Sequence, residues 1–359
     1  MSLPPSPAPM LEVSDLTKHF PVRSGLLQRE TARVYAVEGV SFSLNAGKTL
    51  GLVGESGCGK STLARMLVRL YEPDRGAIRI KGKDFLALSS DELKRARAEI
   101  QLVFQDPQAS LNPRMSVGRI LEEPLKLHGV GTREHRRAKV ASLLEQVGLR
   151  ADAADRFPHE FSGGQRQRIG IARAIALEPE IVICDEPVSA LDVSIQSQVL
   201  NLLKELQQRL GLTYVFISHD LAVVRYISDR VAVMYLGHMV EVADTDDIYR
   251  RARHPYTQAL LASVPLPDPK KRGRPAPLEG DVPSPRNPPS GCVFHTRCKY
   301  KKDVCVREVP QLIALSHRPS QAVACHLVHS GELPEPHPAS GETPSSDRPS
   351  AGAAKDALP

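Results

Sequence analysis

Apolar residues recur along this chain in two rhythms. Short apolar runs at Leu11-Glu12-Val13, Thr49-Leu50-Gly51-Leu52-Val53, Ile100-Gln101-Leu102-Val103-Phe104, Ile181-Val182-Ile183-Cys184 and Tyr214-Val215-Phe216-Ile217 predict buried strands. Val40, Phe42 and Leu44 alternate toward one side of a further strand from Val34 to Leu44, and Ala77 to Gly82 reads as a strand ending in a turn. Helical spacing takes over from Thr62 to Leu70, at Val140, Leu143, Leu144 and Val147, and along Ile195, Val199, Leu202, Leu203 and Leu206. Ser89 and Glu92 form a capping box that opens a charged helix. Alternating βα units of this kind predict a mostly parallel sheet. From Asp106 to about Pro158 the pattern turns helical and loses its strands, which predicts an inserted helical subdomain.

Polar punctuation sets the rest of the organisation. Ser24 to Arg33 reads as a polar, basic loop. Beyond Val264 the composition shifts to proline and charge, with Lys270-Lys271-Arg272-Gly273-Arg274 inside it, then to a cysteine-bearing stretch. From about Ser330 the Pro, Ser, Gly and Glu content predicts a disordered tail. The basic run suits nucleic acid or anionic lipid, with a solvated linker as the plainer alternative.

Composition narrows the class only modestly. A chain of 359 residues, 41% hydrophobic and 25% charged, is long enough for more than one domain and has the balance of a soluble protein. No run reaches the roughly 18 apolar residues of a membrane span. Met1-Ser2-Leu3-Pro4-Pro5 lacks the pattern of a signal peptide, so a cytosolic location is expected. The net charge of +6 is a mild surplus.

The chemistry concentrates at Gly54-Glu55-Ser56-Gly57-Cys58-Gly59-Lys60-Ser61, between a strand and a helix, which fits the G-x-x-x-x-G-K-[ST] phosphate loop at every fixed position. Its glycines let backbone N–H groups curl around phosphates, and the following helix, with Thr62 in its first turn, adds its positive end. Lys60 is expected to reach the β- and γ-phosphates and Ser61 to take one Mg²⁺ position. Ile181-Val182-Ile183-Cys184-Asp185-Glu186 is an apolar strand ending in acids: Asp185 suits the Mg²⁺ shell, and Glu186 suits polarisation of an attacking water. Phe20 and Tyr35 are both candidates to stack on a purine.

Phe161-Ser162-Gly163-Gly164-Gln165-Arg166-Gln167-Arg168-Ile169 lies between these motifs, and here the sequence resembles the ATP-binding-cassette (ABC) ATPases, with Ser162-Gly163-Gly164-Gln165 matching the family signature. The resemblance extends to Gln105 as the Q-loop, Ser189-Ala190-Leu191-Asp192 as the D-loop and His219 as the switch histidine. It implies that Gln105 senses Mg²⁺ and the attacking water, that His219 contacts the γ-phosphate, and that the signature faces a nucleotide held by a partner subunit. It favours Phe20 for adenine, with Tyr35 still open. The implied fold is α/β: a RecA-like, mostly parallel P-loop core with an antiparallel β part, an inserted helical subdomain and a small C-terminal Cys-rich segment.

Asp106-Pro107-Gln108-Ala109-Ser110-Leu111-Asn112-Pro113-Arg114, His254-Pro255-Tyr256-Thr257-Gln258-Ala259-Leu260 and Pro283-Ser284-Pro285-Arg286-Asn287-Pro288-Pro289 narrow the likeness to ATP-binding subunits of dipeptide and oligopeptide importers, particularly the dipeptide type. The expected division is an ABC ATPase domain over 10–265, with its helical subdomain at about 106–178, an importer-type C-terminal segment over 266–328, and a tail over 329–359. This resemblance implies ATP hydrolysis powering peptide import at the cytoplasmic face of the plasma (inner) membrane. The implied partners are a homologous second ATPase in a heterodimer, two permease subunits and, through them, an extracytoplasmic binding protein, with no nucleic acid. Glutathione, opine and nickel importers use related subunits, and a soluble ABC protein acting on nucleic acid is a more distant alternative.

Six cysteines in a cytosolic chain argue against structural disulfides. Cys58 and Cys184 fall in the phosphate loop and a buried strand and read as structural. Cys292, Cys298, Cys305 and Cys325 cluster in a stretch too short and proline-rich to build its own core, which suggests a metal staple. The spacing matches neither a zinc ribbon nor a bacterial ferredoxin run, so Zn²⁺ and iron–sulfur both stand, beside four unconnected thiols. The importer resemblance implies a [4Fe–4S] cluster on these four.

Overall fold

The computed structural model describes residues 8–24, 29–263 and 280–333. The basic run Lys270-Lys271-Arg272-Gly273-Arg274 and the stretch beyond residue 333 lie outside the described residues. Strand β1 (Leu11–Ser24) pairs antiparallel with β2 (Arg29–Leu44) in a long hairpin. This corrects the loop expected over Ser24 to Arg33, because Pro21 pairs with Arg33, Val22 with Ala32 and Arg23 with Glu30. Glu30, Thr31 and Arg33 are exposed, so the alternation that marks Val40, Phe42 and Leu44 has no counterpart there and the backbone ladder alone continues the strand.

Strand β3 (Thr49–Val53), buried at every residue, leads through the phosphate loop into helix α1 (Lys60–Leu67). Strands β4 (Arg75–Ile80) and β5 (Lys83–Asp84) return to the hairpin and complete a four-stranded antiparallel sheet, order β2-β1-β4-β5. Helix α2 (Ser90–Glu99) opens at the expected capping box: the Glu92 carboxylate accepts from the Ser89 N–H at 3.0 Å and its hydroxyl at 2.6 Å. After β6 (Ile100–Val103) come α3 (Pro107–Ser110), α4 (Val117–Leu127), α5 (Arg133–Gln146), two short 3₁₀ turns and α6 (Gly163–Ile175). The α5 stripe Val140, Leu143 and Leu144 is buried with Ile120, Leu121 and Leu125 of α4, and each fully buried aliphatic side chain of this kind contributes about 1.5–3 kcal/mol.

The chain then alternates β7 (Ile181–Asp185), α7 (Val193–Leu210), β8 (Thr213–Ile217) and α8 (Leu221–Ile227), followed by β9 (Arg230–Tyr235), β10 (His238–Asp244), α9 (Thr245–Arg251) and α10 (Pro255–Ala262). The β9–β10 hairpin is an element that the apolar pattern did not single out. Its two turn residues, Leu236 (φ 44) and Gly237 (φ 84), both have positive φ, a conformation that Asn-Gly usually announces and that leucine conceals.

The C-terminal segment contributes α11 (Asp303–Arg307), β11 (Ile313–Leu315), β12 (Arg318–Val323) and α12 (His326–His329). Its two strands extend the central sheet, whose order is β11-β12-β10-β9-β3-β8-β7-β6, parallel from β9 to β6 and antiparallel beyond. The segment therefore shares the main sheet rather than standing beside it. Leu333 is buried against Leu315, Val323 and Leu327, so packed structure runs past the expected start of the tail at 329. Side chains alternate across the central sheet: Val182, Cys184, Tyr214, Phe216, Val231 and Val233 face the helical layer, and Ile181, Ile183, Val215, Ile217, Ala232 and Met234 face α1 and the antiparallel sheet.

Candidate nucleotide site

At the end of β3 the chain turns through Gly54 (φ 155) and reaches α1 through Gly59 (φ 107). A Cβ at these glycines would fall 2.1 Å from the Met234 carbonyl oxygen and 2.0 Å from that of Ala36, so only glycine lets the loop lie against β9 and β2. Lys60, 5% exposed, begins α1. Its ammonium donates to the carbonyls of Gly54 at 2.7 Å and Glu55 at 3.1 Å, which satisfies a buried cation and folds it over the loop. Burial pushes the Cys58 thiol up, keeping it a neutral packing group beneath Lys60, in keeping with a structural role.

The loop walls a cavity of about 420 Å³ with Ser56, Gly57, Gly59, Lys60, Ser61 and Thr62. Phe20, Val34 and Ala36 of the hairpin and Gln105, Glu186 and His219 complete its lining. Residues singled out from five separate stretches of sequence thus meet in one place. Tyr35 is not on this lining; its ring packs on His19 at 4.5 Å, while Phe20 lines the cavity and meets Tyr71 edge-on at 5.3 Å. Pro285 also lines it, and its carbonyl accepts from the Tyr35 N–H at 2.9 Å.

The two acids at the end of β7 have different surroundings. Asp185 is buried and accepts from the Ser61 hydroxyl at 2.9 Å, so the two oxygens expected around Mg²⁺ are adjacent. Burial pushes the Asp185 carboxyl up, and the Ser61 hydrogen bond with the cations Arg65 and Lys60 opposes this. Glu186 has φ 45, an uncommon backbone for glutamate, fixed by its N–H donating to the Ile217 carbonyl at 3.0 Å. That turn aims its carboxylate into the cavity, where it accepts from Gln105 Nε2 at 3.0 Å and lies 3.4 Å from His219 Nδ1.

The signature stretch is elsewhere. Ser162 caps α6, its hydroxyl accepting from the Gln165 N–H at 3.3 Å while Gln165 Oε1 accepts from the Ser162 N–H at 3.0 Å. None of Ser162, Gly163, Gly164 and Gln165 lines the cavity of the phosphate loop. Gly164 instead lies against Ile195 of α7, just beyond the D-loop. Gln196, a residue that sequence reasoning missed, fastens the D-loop by donating to the carbonyls of Val188 at 3.0 Å and Leu191 at 2.9 Å.

Two further concavities share no lining residue with this cavity. In the helical insertion a cleft of about 770 Å³ is lined by Arg114, Arg119, Glu122, Arg133, Arg137, Asp155 and the exposed Phe157. In the C-terminal segment, Cys292, Cys298, Cys305 and Cys325 line one small cavity together with His254, Phe294, His295 and His326. All six cysteines are free thiols. Burial pushes the Cys292 thiol up to about 12 and raises Cys298 and Cys325 as well. Among the described residues, no three metal-ligating side chains are grouped closely enough to hold a single ion.

The His254-Pro255-Tyr256 stretch, quoted above only for its resemblance, is structural in a specific way. His254 caps α10 by accepting from the Tyr256 N–H at 3.1 Å and is fully buried, which pushes its pKa down to about 3 and keeps it neutral. The buried Glu241 receives the N–H groups of Arg253 at 2.7 Å and His254 at 3.0 Å, fixing α10 to β10. Tyr256 then accepts from the Glu55 N–H at 3.0 Å, so the motif ends on the phosphate loop.

Comparison with known proteins agrees with this geometry. Residues 37–189 match the family described as ABC transporter, and residues 240–305 match the oligopeptide/dipeptide transporter C-terminal region. The oligopeptide transport ATP-binding protein AppF of Bacillus subtilis is 56% identical over 89% of this chain and 97% of its own length. A putative peptide import ATP-binding protein of Brucella ovis is 54% identical over 88% of this chain and 97% of its own. Among solved structures, the dimeric post-hydrolysis ATP-binding cassette MJ0796 bound to ADP and phosphate is similar with a TM-score of 0.59 and 30% identity, covering 66% of this chain and 99% of that one.

Proposed function

The chain belongs to the ABC transporter family, in its oligopeptide and dipeptide branch, and from that premise we propose how its residues divide the work of an ATP-hydrolysing importer subunit. It is the ATP-binding subunit of a peptide importer. The observation that carries the assignment of roles is the single cavity in which Lys60, Ser61, Gln105, Glu186 and His219 meet, with Asp185 bonded to Ser61 at its edge.

Within that cavity the loop N–H groups and Lys60 hold the β- and γ-phosphates. Ser61, Asp185 and Gln105 would hold the Mg²⁺, and the cation would offset the burial that now raises the Asp185 carboxyl. Glu186 takes a proton from the attacking water, and Gln105 and His219 hold its carboxylate toward the γ-phosphate. Phe20 stacks on the adenine. Ser162, Gly163, Gly164 and Gln165, which lie off this cavity, serve the nucleotide of a facing cassette, in a heterodimer with a homologous chain.

The cleft in the helical insertion is the docking place for a permease subunit: it is concave, partly basic and floored near an exposed aromatic ring. Among the described residues no helix is long and apolar enough to cross a membrane, and the reading places the chain peripherally, on the cytoplasmic face. An extracytoplasmic binding protein completes the assembly and selects dipeptides or oligopeptides. Reconstitution of the chain with its facing cassette, permeases and binding protein in vesicles is expected to give ATP-dependent peptide uptake. Uptake that is indifferent to ATP would remove the reading.

The four cysteines are read as ligands of a [4Fe–4S] cluster, in which each thiolate would bind a different iron so that no three need converge on a single ion; a Cys₄ donor set lining one small cavity supports this. Such a cluster would bind the thiolates, lower the raised thiol pKa values and staple the segment to the sheet. Chain purified without air is expected to hold about four irons and four acid-labile sulfides. One zinc and no iron would assign the site to Zn²⁺ instead.

A further inference from the structure

The phosphate-loop pattern leaves the position of Glu55 unspecified, yet this residue is held on three sides. Its N–H donates to Tyr256, its carbonyl accepts from Lys60 at 3.1 Å, and its carboxylate receives both ends of the Arg297 guanidinium, Nη1 at 2.7 Å and Nη2 at 3.2 Å. Arg297 is 242 residues away in sequence, with its side chain 5% exposed, and Nη1 also reaches the Tyr235 hydroxyl at 3.4 Å. A planar two-point bond of this kind fixes orientation as well as distance.

The origin of the arginine gives the contact its interest. Arg297 ends a 3₁₀ turn between Cys292 and Cys298, a turn closed by the His295 N–H and ring on the Cys292 carbonyl, both at 2.9 Å. Phe294 in the same turn lines the cysteine cavity and packs edge-on against Tyr235 and obliquely against Tyr256, each at 5.3 Å. A rearrangement of the cysteine cavity would therefore move the arginine that grips the phosphate loop.

We propose that Arg297 is a positioning residue for the nucleotide: through Glu55 it sets the shape of the phosphate loop, so that the condition of the four-cysteine segment sets nucleotide affinity. The proposal rests on the nucleotide reading of the loop and not on whether the cysteines hold a metal. Truncating the arginine frees the first turn of the loop, while Glu186 and its partners stay in place. The effect belongs in binding and not in the chemical step.

The test measures binding of a fluorescent ATP analogue to the purified full-length chain, with phosphate release measured in the assembled transporter. Arg297→Gln is expected to weaken binding about tenfold and raise KM similarly, with kcat changed less than about twofold. Arg297→Lys, a cation without the fork, should recover part of the affinity. Glu55→Gln should match Arg297→Gln, and the double variant should be no weaker than either, as required of two residues acting as a pair. Cys292→Ser, which disturbs the cysteine cavity without touching the loop, should weaken binding by the otherwise unmodified chain and add nothing to the loss in Arg297→Gln. Unaltered affinity in Arg297→Gln, or additive losses in the double variant, overturns the proposal. Lys60→Ala serves as the control: its failure to lose the analogue would strike the nucleotide reading itself.

Discussion

Replacing Glu186 by glutamine is expected to abolish hydrolysis and spare binding. The amide has nearly the same volume, keeps an oxygen to accept from Gln105 Nε2 and can still meet His219, so the cavity is preserved. It cannot take a proton from water. General-base catalysis is worth about 10²–10⁴-fold, and phosphate release is therefore expected to fall about a thousandfold, with ATP affinity within about twofold. The measurement pairs phosphate release from the assembled transporter with retention of unhydrolysed nucleotide. Turnover within about tenfold of the unmodified protein would remove Glu186 from the catalytic role.

The second large effect is expected at Ser162, a residue that does not line the cavity beside Lys60. Ser162→Arg removes the cap from α6 and places a large cation where the reading puts a facing chain's γ-phosphate. Losing the cap costs about 1 kcal/mol, too little to unfold a helix buried along Gln167, Ile169, Gly170, Ile171 and Ala172. Hydrolysis of the facing chain's nucleotide is expected to drop about a hundredfold, the scale of losing an aligned anion-stabilising group. Binding of ATP by the variant's own loop should be unaffected. A variant that loses its own nucleotide would place signature and loop in the same site, against this arrangement.

The chemistry was more legible in the sequence than the scaffolding that steadies it. Lys60, Ser61, Asp185 and Glu186 are marked by fixed residue types at fixed positions beside strands, because phosphate and Mg²⁺ tolerate few alternatives. The convergence of Lys60, Ser61 and Glu186 on one cavity, with Asp185 bonded to Ser61 beside it, follows from parallel strands β3, β7 and β8 ending on the same side. Long-range supports leave no such mark: Arg297 and Glu55 are far apart in the chain, Arg297 belongs to no pattern and Glu55 sits at an unspecified position of the loop pattern, and only the fold makes them neighbours. Tyr256 and Pro285 were visible as features of the importer branch, but Tyr256 reaches the loop because Glu241 of β10 anchors the start of α10, and Pro285 reaches the cavity wall beside Tyr35 of β2. The β9–β10 hairpin escaped notice for local reasons, a Leu-Gly turn and a buried glutamate inside an apolar strand. The four cysteines were read from their clustering as a ligand set; the fold brings them to one small cavity, but among the described residues no three metal-ligating side chains are grouped closely enough to hold a single ion, so their ligand role stays a proposal.

The proposed reading has one central requirement, that the phosphate loop of this chain is half of a composite site. Phosphate release per chain, measured against concentration of the chain and of its facing cassette, tests this most directly. The account predicts a rate near zero for the dilute chain alone, rising as the facing cassette is added. A fast rate per chain, unchanged by dilution, would contradict it.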